Sequence, residues 1–253
     1  MYFDTHAHYD DAAFDEDRAA LLAALPAAGV DFVIDPGCDV PSSRRAIELS
    51  EAHSHVYAAV GLHPEELDKL TDTTLDELRA LAQHPKCVAI GEIGLDYYWD
   101  ASHKAEQIEL FDAQLKLALE LDKPVIIHDR EAHADSFAAV SRYDALRGVF
   151  HCYSGSAEMA KELLKRGWYL GFDGPVTYKN ARKALEVLEL CPMERILIET
   201  DSPYLSPVPN RGKRNDSRNL QYIAQKIAEI KGVTVEEVAR QSTQNAKRLF
   251  NIT

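Results

Sequence analysis

Short apolar runs alternate with longer amphipathic segments along most of the chain. The runs are rich in β-branched and aromatic residues, which favour β-strands. They cover residues 1–3, 32–34, 56–60, 88–90, 125–127, 149–150, 168–172 and 196–198. Each run is followed by a segment whose composition and apolar spacing favour an amphipathic helix. This alternation predicts eight parallel strands connected by helices.

Eight strand–helix units in a chain of 253 residues predict an α/β fold, a (β/α)8 TIM barrel. The connecting helices are predicted at 18–28, 43–53, 75–84, 103–121, 131–142, 158–166 and 181–190. After the eighth strand come a long loop, 202–218, and two helices, 220–231 and 235–250, which Gly232 separates. No linker or repeat interrupts the pattern, so residues 1–253 are expected to form a single domain.

Composition narrows the class of protein further. Hydrophobic residues make up 46% and charged residues 27% of the chain, which argues against a membrane span or a disordered chain. The formal charge of −13 repels nucleic acid at long range, so a polyanionic substrate would need local positive charge. The four scattered cysteines and the acidic start of the chain predict a reduced, cytoplasmic protein, and no obligatory protein partner is evident.

Ionisable residues collect at the trailing ends of the predicted strands. His6 and His8 lie two residues apart after the first run, so in an extended chain both imidazoles point to the same side. The carboxyl ends of barrel strands meet at one face, so residues far apart in sequence are expected to converge there. The candidates are His6, His8, Glu92, His128, His151 and Asp201.

Six such ligands suit two divalent ions better than one closed site, because a catalytic metal keeps positions open for water and substrate. The expected sets are His6, His8 and Asp201 for one ion, and His128 and His151 for the other, with Glu92 bridging them. Imidazole favours zinc, whereas carboxylates also accept manganese or magnesium. The alternative is that Glu92 and Asp201 form ion pairs with Arg130 or Lys179 at the barrel rim.

The strand ends and the last predicted helix carry motifs that are jointly specific. They are DTHAH at 4–8, GLHP at 61–64, GEIGLDY at 91–97, HDR at 128–130, HCYSG at 151–155, ETDSPY at 199–204 and NA at 245–246. With these motifs the chain resembles, over nearly its whole length, the TatD family of metal-dependent hydrolases, known mainly as deoxyribonucleases. The resemblance implies a TIM-type barrel with divalent metals on the six residues above.

The resemblance also implies individual roles. Asp201 would take the proton of the attacking water as well as bind metal, so Asp201 and Glu92 are the expected catalytic residues. His63 would lie beside the substrate phosphate. The implied substrate is single-stranded DNA, cleaved exonucleolytically from the 3′ end. Related barrel amidohydrolases usually carry a carboxylated lysine where this chain has Glu92, which favours phosphoester chemistry here.

Three further features are candidates for holding substrate. Arg130 shares a strand face with His128 and is expected to hold a phosphate, unless it forms an ion pair at the rim. The aromatic run Tyr97-Tyr98-Trp99 is expected either to stack on bases or to pack its loop onto the barrel. The loop at 207–215 carries Arg211, Lys213 and Arg214, which are expected to contact phosphates, the alternative being a solvated loop tip.

Three functions compete on these residues. A metal-dependent deoxyribonuclease is the leading interpretation, with DNA as the partner. The second is a metal-dependent hydrolase of another ester or amide, such as an aminoacyl-tRNA deacylase or a small-molecule phosphodiesterase. The third, a non-catalytic binding module, is disfavoured because every expected ligand is present.

Overall fold

The computed structural model describes residues 1–99 and 101–253, and within them eight parallel strands alternate with helices. The strands are β1 (Tyr2–Asp4), β2 (Val30–Pro36), β3 (Val56–Val60), β4 (Cys87–Asp96), β5 (Val125–Arg130), β6 (Gly148–Phe150), β7 (Tyr169–Phe172) and β8 (Ile196–Ile198). They pair in chain order from β1 to β8. The first and last strands meet through bonds such as Asp201 N–H to the His6 carbonyl, 2.9 Å, and Thr5 N–H to the Ile198 carbonyl, 3.3 Å. The predicted (β/α)8 barrel is therefore confirmed.

The described α-helices surround this barrel. They are α1 (Arg18–Ala24), α2 (Val40–Ala52), α3 (Thr74–Leu81), α4 (Lys104–Glu120), α5 (His133–Val140), α6 (Ala157–Lys165), α7 (Arg182–Leu190), α8 (Leu220–Lys231) and α9 (Val235–Phe250). No described helix has the length and apolar character needed to cross a lipid bilayer. The helix predicted at 18–28 ends early, because Pro26 starts a separate 3-10 turn that Gly29 terminates at a φ of 84°.

Two apolar clusters hold the barrel together. The larger one lies between the strands and the surrounding helices, and the second takes at least one side chain from every strand, including Phe3, Ile126 and Leu197. The second cluster also contains Leu249 and Phe250 from the end of α9. Helix α9 packs against β1 and β8, where the Asn245 side chain donates a 2.8 Å hydrogen bond to the Ile196 carbonyl. The apolar contacts thus fill the amino-terminal end and leave the carboxyl ends of the strands for polar residues.

Strand β4 is longer than the apolar run at 88–90 predicts. Every residue from Cys87 to Asp96 is buried, including the charged ones. Gly94 has a φ of 150°, and a Cβ there would lie 1.9 Å from the His128 carbonyl oxygen. Glycine therefore allows β4 to approach β5 closely, and this approach brings Glu92 next to His128.

Candidate metal centre

The strand ends bring together the six residues predicted to bind metal. His6 and His8 follow β1, Glu92 lies within β4 and His128 within β5, and His151 and Asp201 follow β6 and β8. Their side chains meet at the carboxyl end of the barrel, where Glu92 and Asp201 face histidines instead of Arg130 or Lys179.

Glu92 stands at the middle of this cluster and is only 3% exposed. Its Oε1 lies 2.8 Å from His128 Nδ1 and 2.7 Å from His151 Nε2. Its Oε2 lies 3.3 Å from His6 Nε2 and 3.6 Å from His8 Nε2. The two oxygens of one carboxylate therefore face two different histidine pairs.

Asp201 lies on the side of the first pair. Its Oδ1 is 3.5 Å from His8 Nε2 and 3.7 Å from His6 Nε2. The side chain of Asp201 is 15% exposed, whereas that of Glu92 is 4% exposed. Asp201 is thus the carboxylate of the cluster that solvent and substrate reach more easily.

The donor atoms fit divalent cations. His6 Nε2 lies 3.0 Å from His8 Nε2, and His128 Nδ1 lies 3.3 Å from His151 Nε2. Imidazole nitrogens this close together can direct two lone pairs at one cation. The set of His6, His8 and Glu92 and the set of Glu92, His128 and His151 each have donor atoms within 4.8 Å of one another.

Residues outside the cluster orient its histidines. Nδ1 of His8 lies 3.1 Å from the Pro36 carbonyl oxygen, and Nε2 of His128 lies 2.9 Å from Asp96 Oδ2. Such contacts fix which ring nitrogen faces a metal. Asp96 is not among the residues predicted for the site, although its position four residues after Glu92 in a strand places both side chains on one face.

The electrostatics of the cluster favour an ionised Glu92 and a protonated His128. Burial raises the pKa of Glu92, but His151, His6 and His63 outweigh burial and lower this pKa well below its usual range. Burial opposes protonation of His128, yet its hydrogen bonds with Asp96 and Glu92 raise its pKa to about 9. A divalent cation must therefore displace protons to bind.

His63 lies beside the cluster, on the side of the second histidine pair. Its Nε2 is 3.5 Å from Glu92 Oε1, and its Nδ1 accepts a hydrogen bond from the Glu65 N–H. Burial and the neighbouring His128 lower its pKa, which favours the neutral ring. Because Nδ1 is the acceptor, neutral His63 carries its proton on Nε2 and presents a donor towards the cluster.

Arg130 ends β5 at the mouth of the site. Its guanidinium lies 4.0 Å from the centre of the Tyr98 ring and 5.3 Å from that of Trp99. The cavity above the cluster has a volume of about 490 Å³ and is lined by Arg130, Trp99, His63 and Tyr204, among others. The structure thus brings Arg130 and part of the aromatic run to the cluster.

The arginines of the basic loop at 207–215 contact residues outside the cluster. Both terminal nitrogens of the Arg214 guanidinium pair with Asp17, at 2.8 and 2.6 Å, and its plane covers Phe14. The Arg211 guanidinium lies 4.3 Å from the centre of the Tyr178 ring. Among the described residues that line cavities at the cluster, Arg211, Lys213 and Arg214 are not found. The structure does not bring these three cations to the cluster.

Comparison with known proteins gives consistent matches over the whole chain. The family model described as TatD related DNase matches residues 3–251. An uncharacterized metal-dependent hydrolase from Bacillus subtilis, YabD, is 45% identical over 100% of both chains. A protein of Citrobacter rodentium described as the 3′-5′ ssDNA/RNA exonuclease TatD is 36% identical, with 99% of this chain and 98% of that one covered. The crystal structure of the TatD homologue YJJV from Escherichia coli superimposes with a TM-score of 0.94 at 33% identity, covering 100% of this chain and 98% of that one.

Proposed function

Because this chain belongs to the TatD-related DNase family of metal-dependent hydrolases, we propose that it is a nuclease that removes nucleotides from the 3′ end of single-stranded DNA. Relatives of this chain described as exonucleases support the choice of substrate. We further propose which residues bind the metals and which perform the reaction.

The observation that carries the proposal is the position of Glu92 between two histidine pairs. His6, His8 and Asp201 would hold one divalent ion, His128 and His151 would hold a second, and Glu92 would bridge them. Divalent ions at such a site supply Lewis acidity, which lowers the pKa of water and neutralises charge on phosphoryl oxygens. Imidazole nitrogens and carboxylate oxygens together accept zinc, manganese or magnesium.

Asp201 is the proposed general base. Its neighbours His8, His6 and His151 outweigh burial and lower its pKa below the usual value, so it is ionised and able to accept a proton at neutral pH. The water oxygen would form a bond to phosphorus while its proton passes to an Asp201 oxygen. The bond between phosphorus and the 3′ oxygen of the shortened strand would break, that oxygen would take a proton from solvent, and the terminal nucleotide would leave with a 5′ phosphate.

Two residues are proposed to hold the phosphate during this step. His63 presents an Nε2 donor 3.5 Å from Oε1 of Glu92, so a phosphate bound beside Glu92 would find a neutral hydrogen-bond donor there. Arg130 has a planar guanidinium that suits phosphate oxygens, and the rings of Tyr98 and Trp99 keep it at the mouth. Both are positive or donor groups in an otherwise acidic protein of net charge −13.

The proposal is tested by incubating protein reconstituted with zinc, manganese or magnesium with 5′-labelled single-stranded DNA. We expect a ladder of products shortened from the 3′ end. Parallel reactions contain RNA, an aminoacyl ester and a nitrophenyl phosphodiester, so that preference for another ester is detected. Cleavage of the aminoacyl ester with intact DNA would contradict the proposal.

Asp201→Asn provides the residue-level test of the same reaction. We expect this variant to unfold at nearly the wild-type urea concentration but to lose at least about 100-fold in kcat, because asparagine cannot accept the proton. Glu158→Gln, which changes an exposed carboxylate on α6, is the matched control. An Asp201→Asn enzyme with near-normal turnover would place the base elsewhere.

A further inference from the structure

A second cavity leads away from the metal centre towards α7. It begins at His128, His151 and Asp201 and extends to the first turn of α7, at Arg182 and Lys183. Its volume is about 550 Å³, which lies within the range of about 300–1,000 Å³ for small-molecule sites. We name it the α7 cavity.

The walls of the α7 cavity combine two kinds of surface. One wall is apolar and contains Phe172, Val176, Ala181 and Leu205. The lining also carries the cations Arg130, Arg182 and Lys183. An apolar wall beside positive charge matches the two parts of a nucleotide, a flat base and a phosphate.

The cations at this rim are available to a ligand. Arg182 and Lys183 are exposed, and neither takes part in an ion pair within residues 1–99 and 101–253. In contrast, Arg214 is already neutralised by Asp17 at 2.6 Å. Free cations attract phosphates more effectively than paired ones, because no carboxylate has to be displaced.

The other sides of the mouth are acidic. The cavity beside His8 is lined by Asp10, Asp11, Asp39 and Glu66. The cavity below Trp99 is lined by Glu65, Asp68 and Asp96. The α7 cavity is also lined by Asp129, Asp173 and Asp201, but of these three cavities it alone has arginine and lysine in its described lining. A chain of phosphates leaving the metal centre therefore meets compensating positive charge along α7 and only like charge in the other two directions.

We infer that the α7 cavity binds the nucleotide adjoining the scissile phosphate, with its base on the apolar wall and its next phosphate at Arg182 and Lys183. This inference rests on the proposed nuclease function and adds the direction in which the strand leaves the centre. It assigns phosphate binding to the first turn of α7 instead of the basic loop at 211–214.

The phosphate contacts are tested with the variant Arg182→Gln/Lys183→Gln in metal-loaded protein. Its matched control is Lys161→Gln/Arg248→Gln, which removes two exposed cations outside the cavity. With an oligothymidylate of ten nucleotides, we expect the KM of the test variant to rise about ten-fold over that of the control. The slope of log(kcat/KM) against log salt should become shallower by about 0.7, because the contact to one single-strand phosphate is lost.

The base contact is tested with wild-type enzyme and two oligothymidylates, each with an abasic residue on one side of the terminal scissile phosphate. Only the nucleotide on the 5′ side of this phosphate carries a further phosphate, so we expect the substrate that is abasic there to show a KM at least about five-fold higher than that of the intact strand. The same increase should persist in the Arg182→Gln/Lys183→Gln variant, since base and phosphate contact different residues. An increase confined to the other substrate would place the base outside the α7 cavity.

The outcomes separate this inference from the proposed function. If wild-type protein cleaves no nucleic acid, both are overturned. If wild-type protein cleaves DNA but the test variant matches its control in KM and salt slope, only the phosphate site at α7 is overturned. If neither abasic substrate differs from the intact strand, the base does not bind in the α7 cavity.

Discussion

At the scale of single residues, Glu92 is the group on which the proposed centre depends. Its two oxygens face different histidine pairs, at 2.7 Å from His151 and 3.3 Å from His6. Replacing a side chain that binds two ions should reduce activity more than replacing one that binds a single ion. Its loss weakens both metal sites and removes the link between them.

Glu92→Gln is therefore expected to reduce kcat/KM more than His8→Ala does, by at least about ten-fold, since even residues that only orient metal ligands account for about 10–100-fold. The measurements are kcat/KM on single-stranded DNA and metal content by elemental analysis. Equal losses in the two variants would remove the reason for placing Glu92 between two ions.

Proton displacement gives a second test at this scale. The pKa of His128 is raised to about 9, and that of His151, despite its burial, is raised well above the usual value by Glu92 and Glu199. Both rings are protonated at pH 7 without metal and must lose protons to bind it, so metal affinity should rise with pH up to about 9. We expect zinc affinity to fall more than about ten-fold per pH unit between pH 8 and 6, because more than one proton is displaced.

Isothermal titration calorimetry in buffers of different ionisation enthalpy measures these protons directly. Asp96→Asn is the informative comparison, because Asp96 Oδ2 lies 2.9 Å from His128 Nε2 and helps to raise its pKa. This variant should release fewer protons at pH 7. Zinc affinity independent of pH would contradict the described electrostatics.

The sequence predicts some of these residues better than others. His6, His8, Glu92 and the later candidates follow apolar runs, so barrel geometry alone brings them to one face. No sequence pattern predicts the contacts of Arg214. Its partner Asp17 lies 197 residues earlier, in a region with no distinguishing motif. Which cations remain free for substrate depends on pairings of this kind, and only the structure reveals them.

At the scale of elements, the joining of β4 to β5 sets the geometry of the centre. The apolar run at 88–90 predicts only the start of β4, because the rest of the strand, up to Asp96, contains glycines and acids that disfavour strands in general. In β4 these residue types have specific roles. Gly94 permits the close approach of β4 to β5, and Glu92 occupies the middle of the histidine cluster.

Gly94→Ala tests this role of β4. The new Cβ would lie 1.9 Å from the His128 carbonyl oxygen at a φ of 150°, so the strands must separate. We expect a loss of about 3 kcal/mol or more in the free energy of unfolding in urea, together with weaker metal binding. Gly29→Ala is the matched control, because Gly29 has a φ of 84° but open space around it, and should cost only about 1–2 kcal/mol. Similar losses in both variants would contradict the steric argument.

At the scale of the whole molecule, the residues that stabilise the barrel and the residues proposed to carry out the reaction lie at opposite ends. Apolar side chains and the end of α9 fill one end, while histidines and carboxylates occupy the other. We propose that residues 1–253 form one domain, because α9 packs against both the first and the last strand. At the mouth of the site, Arg130 and the first turn of α7 supply positive charge in a protein of net charge −13.

The central claim is that two divalent ions lie on either side of Glu92. Anomalous X-ray diffraction from crystals of zinc- or manganese-reconstituted protein measures it most directly. We expect two anomalous peaks, one among His6, His8 and Asp201 and the other between His128 and His151, each within bonding distance of a different Glu92 oxygen. A single peak, or two peaks of which only one contacts Glu92, would contradict the account.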